Sequence, residues 1–255
     1  MTPTGSLVYV YGVLSASDVA AATQTGVDGR AVRTIAHEGL AALVSDVHGD
    51  ALAAPREVRA HWRVLQEVSE DAAVLPVRFG TVMDGEDAVR RQLLEHNAER
   101  LGGLLHELAG RVQLSVKGDY DEDALLRDVV TRSPSIAALR QRVRTTPGAA
   151  GYYDRIQLGE MVASDVARRR EEDEAAALAR LQPLAVRARA EQPASSGQAF
   201  NLAFLVDREG VENFGRAVAE LGDQVAERIR IRHVGPLPPY SFADLELAAG
   251  SAAWA

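Results

Sequence analysis

The stretch at 228–242, RIRIRHVGPLPPYSF, limits the fold more than any other part of the chain. Its first half alternates strictly, with Ile229, Ile231 and His233 on one side and Arg228, Arg230 and Arg232 on the other. A period of two predicts a half-buried β-strand over 228–234. Gly235 ends the alternation, and Pro236, Pro238 and Pro239 follow. Proline fixes φ and lacks an N–H, so this part is excluded from an inner strand and is expected to run extended. Tyr240 and Phe242 come next. A stiff arm tipped with two aromatics docks with little entropy loss. It is expected to fold back onto the N-terminal half, because aromatics left in water are disfavoured in a free monomer. The competing expectation is an arm that projects outward as a docking peptide.

A second segment, VLPVRFGT at 74–81, places the guanidinium of Arg78 in an otherwise apolar run. An isolated buried charge is costly, so Arg78 is expected to meet a carboxylate, backbone carbonyls or a partner. The expectation is an internal ion pair that latches a domain seam.

With 255 residues the chain can build one large domain or two modest ones. Its 36 acidic residues outnumber 28 basic ones, and a net charge of −8 argues against bulk affinity for nucleic acid or an anionic membrane. The chain has no cysteine, which excludes disulfides, thiolate catalysis and zinc–thiolate sites together. The opening MTPTGSLVYVYGV lacks a basic start and a long apolar core, so no signal peptide is expected. No apolar run approaches the ~20 residues of a spanning helix. These features predict a soluble, cytoplasmic protein, compatible with residence on an assembly.

The segment LVYVYGV at 7–13 reads as a strand apolar on both faces, hence central and doubly covered. A polar loop at 23–30 follows. LAALVSDV at 40–47 reads as a second strand, paired with 31–36 across a turn at 37–39. Pro55 opens a helix whose expected buried stripe is Val58, Trp62, Leu65, Val68 and Ala72, with His61 on its flank. Asp84 is expected to cap the next helix, which carries Val89, Leu93, Leu101, Leu104, Leu105 and Leu108. The Gly102–Gly103 pair is expected to bend or break it, and Gly110 to close it. RVQLSVK at 111–117 alternates as a strand. Helices are expected to about 144, and a long helix over 152–190 carries RRREEDE. Arg168–Glu172, Arg169–Asp173 and Arg170–Glu174 pair there at i,i+4 on a solvated face. A strand at 200–206, a helix at 211–221 and the last strand complete the pattern. The fold expected is therefore α+β in two domains: an N-terminal α+β domain over 1–109, and a ferredoxin-like domain with a helical insertion over 110–240. A tail over 241–255 is expected to pack on the first.

Motifs for dinucleotide, P-loop or α/β-hydrolase chemistry are absent. Asp119, Asp121 and Asp123 mimic the start of an EF-hand, but Ala124 and Val130 stand where Gly and Glu are required. Asp121 is instead expected to cap the following helix. None of the six histidines forms an H-x-H or H-x-x-x-H pair, so no metal, cofactor or catalytic residue is assigned. A packing role is expected for His61. If the apolar residues of the second sheet face its helices, Arg111, Lys117, Arg228, Arg230 and Arg232 gather on the other face. That face has no aromatics for base stacking, so an acidic protein surface is its expected mate.

Taken together, YVYGV at 9–13, the helix with His61, VLPVRFGT, VQLSVK at 112–117, FNLAFLV at 200–206 and GPLPPYSF at 235–242 resemble the gas vesicle accessory family GvpL/GvpF. VLPVRFGT and GPLPPYSF are the specific pieces; the others are ordinary strands. The resemblance implies two α+β domains, the second a modified ferredoxin-like fold. It also implies a non-enzymatic role in assembling the gas-filled shell, with the small, hydrophobic major shell protein and other accessory proteins as partners. The family has no established catalytic residues to carry over. Arg78, Arg228, Arg230, Arg232, Tyr240 and Phe242 are the candidate partner-binding or latch residues. A small-molecule-sensing module of ferredoxin-like type is the alternative, since fold alone does not decide function.

Overall fold

The computed structural model describes residues 7–21, 24–48, 54–146 and 148–243, so the tail expected beyond 243 lies outside the described residues. The chain divides into two compact units, Met1–Gln113 with Pro236–Ala255, and Leu114–Gly235.

The first unit is organised by β1 (Leu7–Ser15), buried at every position but its two ends. One neighbour is the hairpin of β2 (Arg33–His37) and β3 (Leu40–Val47). Glu38 and Gly39 both have positive φ, the two-residue turn whose twist suits a hairpin. The other neighbour is one strand in two pieces. β4 (Val74–Pro76) pairs with 12–14, and β5 (Val82–Asp84) pairs with 7–9. Between them the chain bulges outward but stays tethered, Val77 N–H donating to Tyr11 O (2.8 Å) and Val10 N–H to Thr81 O (3.0 Å).

The helix α1 (Pro55–Asp71) packs on the face that carries Tyr9 and Tyr11. Its buried stripe is Glu57, His61, Val64, Leu65 and Val68, while Val58 and Trp62 are each 39% exposed. The helix is thus rotated from the stripe expected on hydrophobicity. Glu57 and His61 turn inward because the sheet offers them hydrogen-bond partners. Val64, Leu65 and Val68 each contribute roughly 1.5–3 kcal/mol by burial. Asp84 precedes α2 (Gly85–Ala88) without a side-chain cap bond, against expectation. A π-helical stretch, Val89–Glu95, then leads to α3 (Ala98–Leu108). The break falls at His96–Asn97 and not at the glycines. His96 N–H donates to Arg91 O (3.1 Å), and the Asn97 side chain occupies the carbonyls of Gln92 and Leu93 (3.0 and 2.9 Å). Gly102 and Gly103 sit within α3 with open space beside them.

The second unit follows the order β6 (Arg111–Tyr120), α4 (Glu122–Arg132), α5 (Pro134–Thr145), α6 (Tyr152–Leu181), β7 (Arg187–Ala190), β8 (Gln198–Asp207), α7 (Val211–Val225) and β9 (Ile229–Leu237). The sheet order β7-β8-β6-β9 is the ferredoxin-like split arrangement, with three helices in the first crossover. β8 is buried from Gln198 to Val206, as a strand covered on both faces must be. Asp121 caps α4, accepting from Ala124 N–H at 2.8 Å.

Three expectations are corrected in this unit. The long helix ends at Leu181, where Pro183 stops it, and RARA at 187–190 pairs with β8 as an edge strand. β9 continues through Gly235 and Pro236 to Leu237, which its edge position permits. The charged stretch of α6 is not wholly solvated. Arg168 pairs with Glu172 (2.5 Å), but Arg169 is only 7% exposed and engages Asp165 and Asp128.

Two glycine substitutions test this packing from opposite sides. A Cβ at Gly26 would lie 2.0 Å from Tyr11 Oη. Gly26→Ala should therefore cost about 2–3 kcal/mol and lower the melting temperature by roughly 5–10 °C. Gly102→Ala, in open helix, should stabilise by up to ~1 kcal/mol. Chemical denaturation showing equal effects would refute this account of the two sites.

Candidate functional site

Within the first unit a chain of buried polar groups runs from β1 to the C-terminal arm. Tyr9, with no exposed surface, points from β1 at α1, where His61 is equally buried. Gly80 N–H donates to Tyr9 Oη at 3.2 Å. Tyr9 Oη is 2.8 Å from His61 Nδ1, and His61 Nε2 is 2.7 Å from Tyr240 Oη. One proton arrangement satisfies every buried donor. Tyr9 O–H donates to Nδ1, and Nε2–H donates to Tyr240 Oη. The reverse would strand the Tyr9 hydroxyl hydrogen in a closed core, at a cost of about 1–3 kcal/mol. Burial pulls the His61 pKa down to about 4, so the ring is neutral at ordinary pH. Burial likewise raises the Tyr9 and Tyr240 hydroxyls.

Rings close around this chain. Tyr11 stacks on His61 at 5.7 Å, Phe79 meets its edge at 5.6 Å, and Trp62 lies 4.8 Å from Tyr240. Tyr11 Oη accepts from Val27 N–H (2.7 Å) and shares a hydrogen bond with Ser45 Oγ (2.8 Å). One turn before His61 on α1, buried Glu57 accepts from Arg56 Nε and Asp28 N–H, both at 2.8 Å. The Arg56 guanidinium, then the Asp28 amide, hold its carboxyl below the usual range. Both His61 nitrogens are already engaged by tyrosines, so the ring is placed as a clasp and not as a free base. Among the described residues no cluster of three His, Asp or Glu could hold a metal ion.

The candidate residues are distributed as follows. Arg78 is exposed and has no carboxylate partner among the described residues, so the buried latch expected of it does not hold. The reason is the interrupted strand: VLPVRFGT is not one continuous apolar run in space, and Arg78 rides on the outward bulge. That bulge is pinned by Gly80 on Tyr9 and by Thr81 N–H and Oγ1 on Arg78 O (3.2 and 2.7 Å). Tyr240 is half-buried on His61, and Phe242 is 1% exposed. The arm turns after Pro239, with Phe242 N–H donating to Pro239 O (3.0 Å) and Ser241 N–H to Gln113 Oε1 (2.9 Å).

In the second unit Arg228 is half-buried on Asp173, which also accepts from Tyr120 O–H (2.8 Å). Arg232 pairs with Asp119 at 2.7 Å. Arg230 is exposed, and of the three it alone has no carboxylate partner among the described residues. The free basic sheet face expected from the sequence is thereby corrected. Gln113, Ser115, Asn201 and Ala203, which would form its middle, are buried, and two of its arginines answer carboxylates of their own chain. Sequence reasoning undervalued His61 and missed Arg169. The spacing 57-61-64-65-68, read with polar residues admitted to the stripe, carries the signal for the first.

The sequence matches the family described as Gas vesicle synthesis protein GvpL/GvpF over residues 7–244. Gas vesicle protein F of a Streptomyces sp. is 35% identical over 242 residues, covering 92% of this chain and 99% of that protein. Gas vesicle protein L of the same organism is 30% identical over 261 residues, covering 95% and 94%. Among solved structures, the crystal structure of the gas vesicle protein GvpF from Anabaena sp. aligns with a TM-score of 0.81 at 28% identity, covering 94% of this chain and 99% of that one. GvpF from Microcystis aeruginosa aligns at 0.78 with 25% identity and the same coverage.

The His61 clasp predicts an acid-side loss of stability. In the unfolded chain His61 takes up a proton near pH 6.5; in the folded one it resists until about 4. Stability should fall by about 3 kcal/mol as pH drops through that window. His61→Asn should destabilise at pH 7 and flatten the slope between pH 6.5 and 4.5; parallel slopes in wild type and variant would refute the assignment. For the arginines, Arg228→Glu should lower the melting temperature clearly by facing Asp173. Arg230→Glu should leave it within about 2 °C, as exposed substitutions do. Equal melting temperatures for the two variants would remove the distinction.

Proposed function

Because the chain belongs to the gas vesicle synthesis protein GvpL/GvpF family, we propose that it performs its gas vesicle accessory role by binding the major shell protein directly during nucleation or growth of the shell, and that it does so without catalysis, in the cytoplasm. The match over nearly the whole chain, in sequence and in fold, is the observation that carries this reading. Physical chemistry makes the role reasonable. Subunits that build a water-excluding wall expose apolar surface and strand edges before assembly, and both aggregate unless covered. An acidic, folded escort supplies such cover and keeps the complex dispersed. The engaged nitrogens of His61 fit a binding protein better than an acid–base catalyst. Among the described residues no helix is long and apolar enough to cross a membrane. Other accessory proteins are proposed as further partners.

The test is association with the purified major shell subunit, by pull-down and calorimetry, with both proteins soluble. A saturable complex is expected. Absence of a complex at concentrations of about 100 μM, far above ordinary accessory affinities, would overturn direct binding.

A further inference from the structure

β9 is the outermost strand of the second unit's sheet, and its free side has no partner strand among the described residues. From Arg230 to Pro236 it is exposed, save for half-buried Ile231. Beside this edge lies a groove, walled by Gly215, Ala219 and Gly222 of α7 and by Ile229, Ile231 and His233 of β9. The three α7 residues recur at i, i+4 and i+7, so they form one stripe. Nothing lies within 4 Å of where a Cβ would stand on Gly215 or Gly222. The helix thus leaves unfilled the space that side chains of a further strand would occupy.

We propose that the β9 edge and the α7 groove accept an extended segment of a partner polypeptide in which apolar and acidic side chains alternate. The backbone of that segment adds to the sheet as a fifth strand. Its apolar side chains enter the groove beneath α7, against Ile229 and Ile231. Its acidic side chains fall on the opposite face, beside Arg230, since Arg232 already answers Asp119; opposite cross-strand charges there stabilise and like charges repel. The same rule disfavours a second copy of this chain as occupant, since two β9 edges would set their arginines against each other. Pro236 has no N–H and limits pairing to 229–235, so the bound segment is short. This inference deepens the assembly role proposed above and rests on that reading only for the source of the strand.

The test uses a seven-residue peptide, Val-Asp-Val-Glu-Val-Asp-Val with blocked ends, and its counterpart with lysine at each acidic position. Amide hydrogen exchange should show protection of 229–235 by the acidic peptide, bound about tenfold more tightly than the basic one. Arg230→Glu should narrow or invert that preference. The double variant G215L/G222L should fold at least as stably as wild type, because leucine favours helix over glycine, and should lose the peptide. Ala219→Leu serves the same purpose should the double variant misfold. No protection of β9, or peptide binding that survives a filled groove, overturns the proposal. Major shell subunit bound by the intact protein with no peptide protection of β9 overturns this inference alone and leaves the assembly reading standing.

Discussion

The hydrogen bond between Tyr9 and His61 is the constraint on which the first unit is built. Burying two polar side chains completely is costly unless each polar atom is matched. Once Tyr9 faces α1, three things follow. The helix must rotate to bring His61 inward, which turns Val58 and Trp62 toward solvent. The bulge after β4 must present Gly80 N–H to the tyrosine oxygen. And the far ring nitrogen must find an acceptor, which Tyr240 supplies from 179 residues away in sequence. A local choice on one strand thus selects a helix orientation, a loop conformation and the resting place of the C-terminal arm.

The second unit uses carboxylates in the same way. Asp173 gathers Arg228 and Tyr120, and Asp128 with Asp165 gathers Arg169. Isolated exposed pairs on α6 contribute little. These shared pairs differ because their members are largely withdrawn from water, so removing one partner leaves a charge with nothing to answer it. Asp173 ties the long helix to the strand ends at Tyr120 and Arg228, and Arg169 ties it to α4 through Asp128. They also explain why a basic face legible in the sequence is mostly consumed by the chain itself, with Arg230 left exposed.

That division of labour bears on function in the gas vesicle accessory family. Polar groups that a reader of the sequence would assign to binding are largely structural, while a strand edge and the Gly215, Ala219 and Gly222 stripe of α7 are left open. Backbone edges and apolar grooves recognise shape and alternation more than any single side chain.

What the sequence determined by itself was the set of elements whose pattern is local. Apolar runs marked β1 and β3, alternation marked β6, β8 and β9, helical spacing marked α1 and α3, and turn chemistry marked the hairpin turn within 37–39 and the stop at Gly110. The prolines correctly barred the segment from Pro236 onward from an inner strand, and the ferredoxin-like order of the second unit followed from the succession of elements. Tertiary structure decided the rest. Whether Arg78 was buried depended on a strand breaking into β4 and β5, which no local pattern encodes. The charged stretch of α6 looked solvated because Asp128, the partner that buries Arg169, lies 41 residues away. RARA became a strand only because β8 was there to pair with it. In each case the deciding interaction joins residues distant in sequence, so its energy appears only when the fold brings them within a few ångströms.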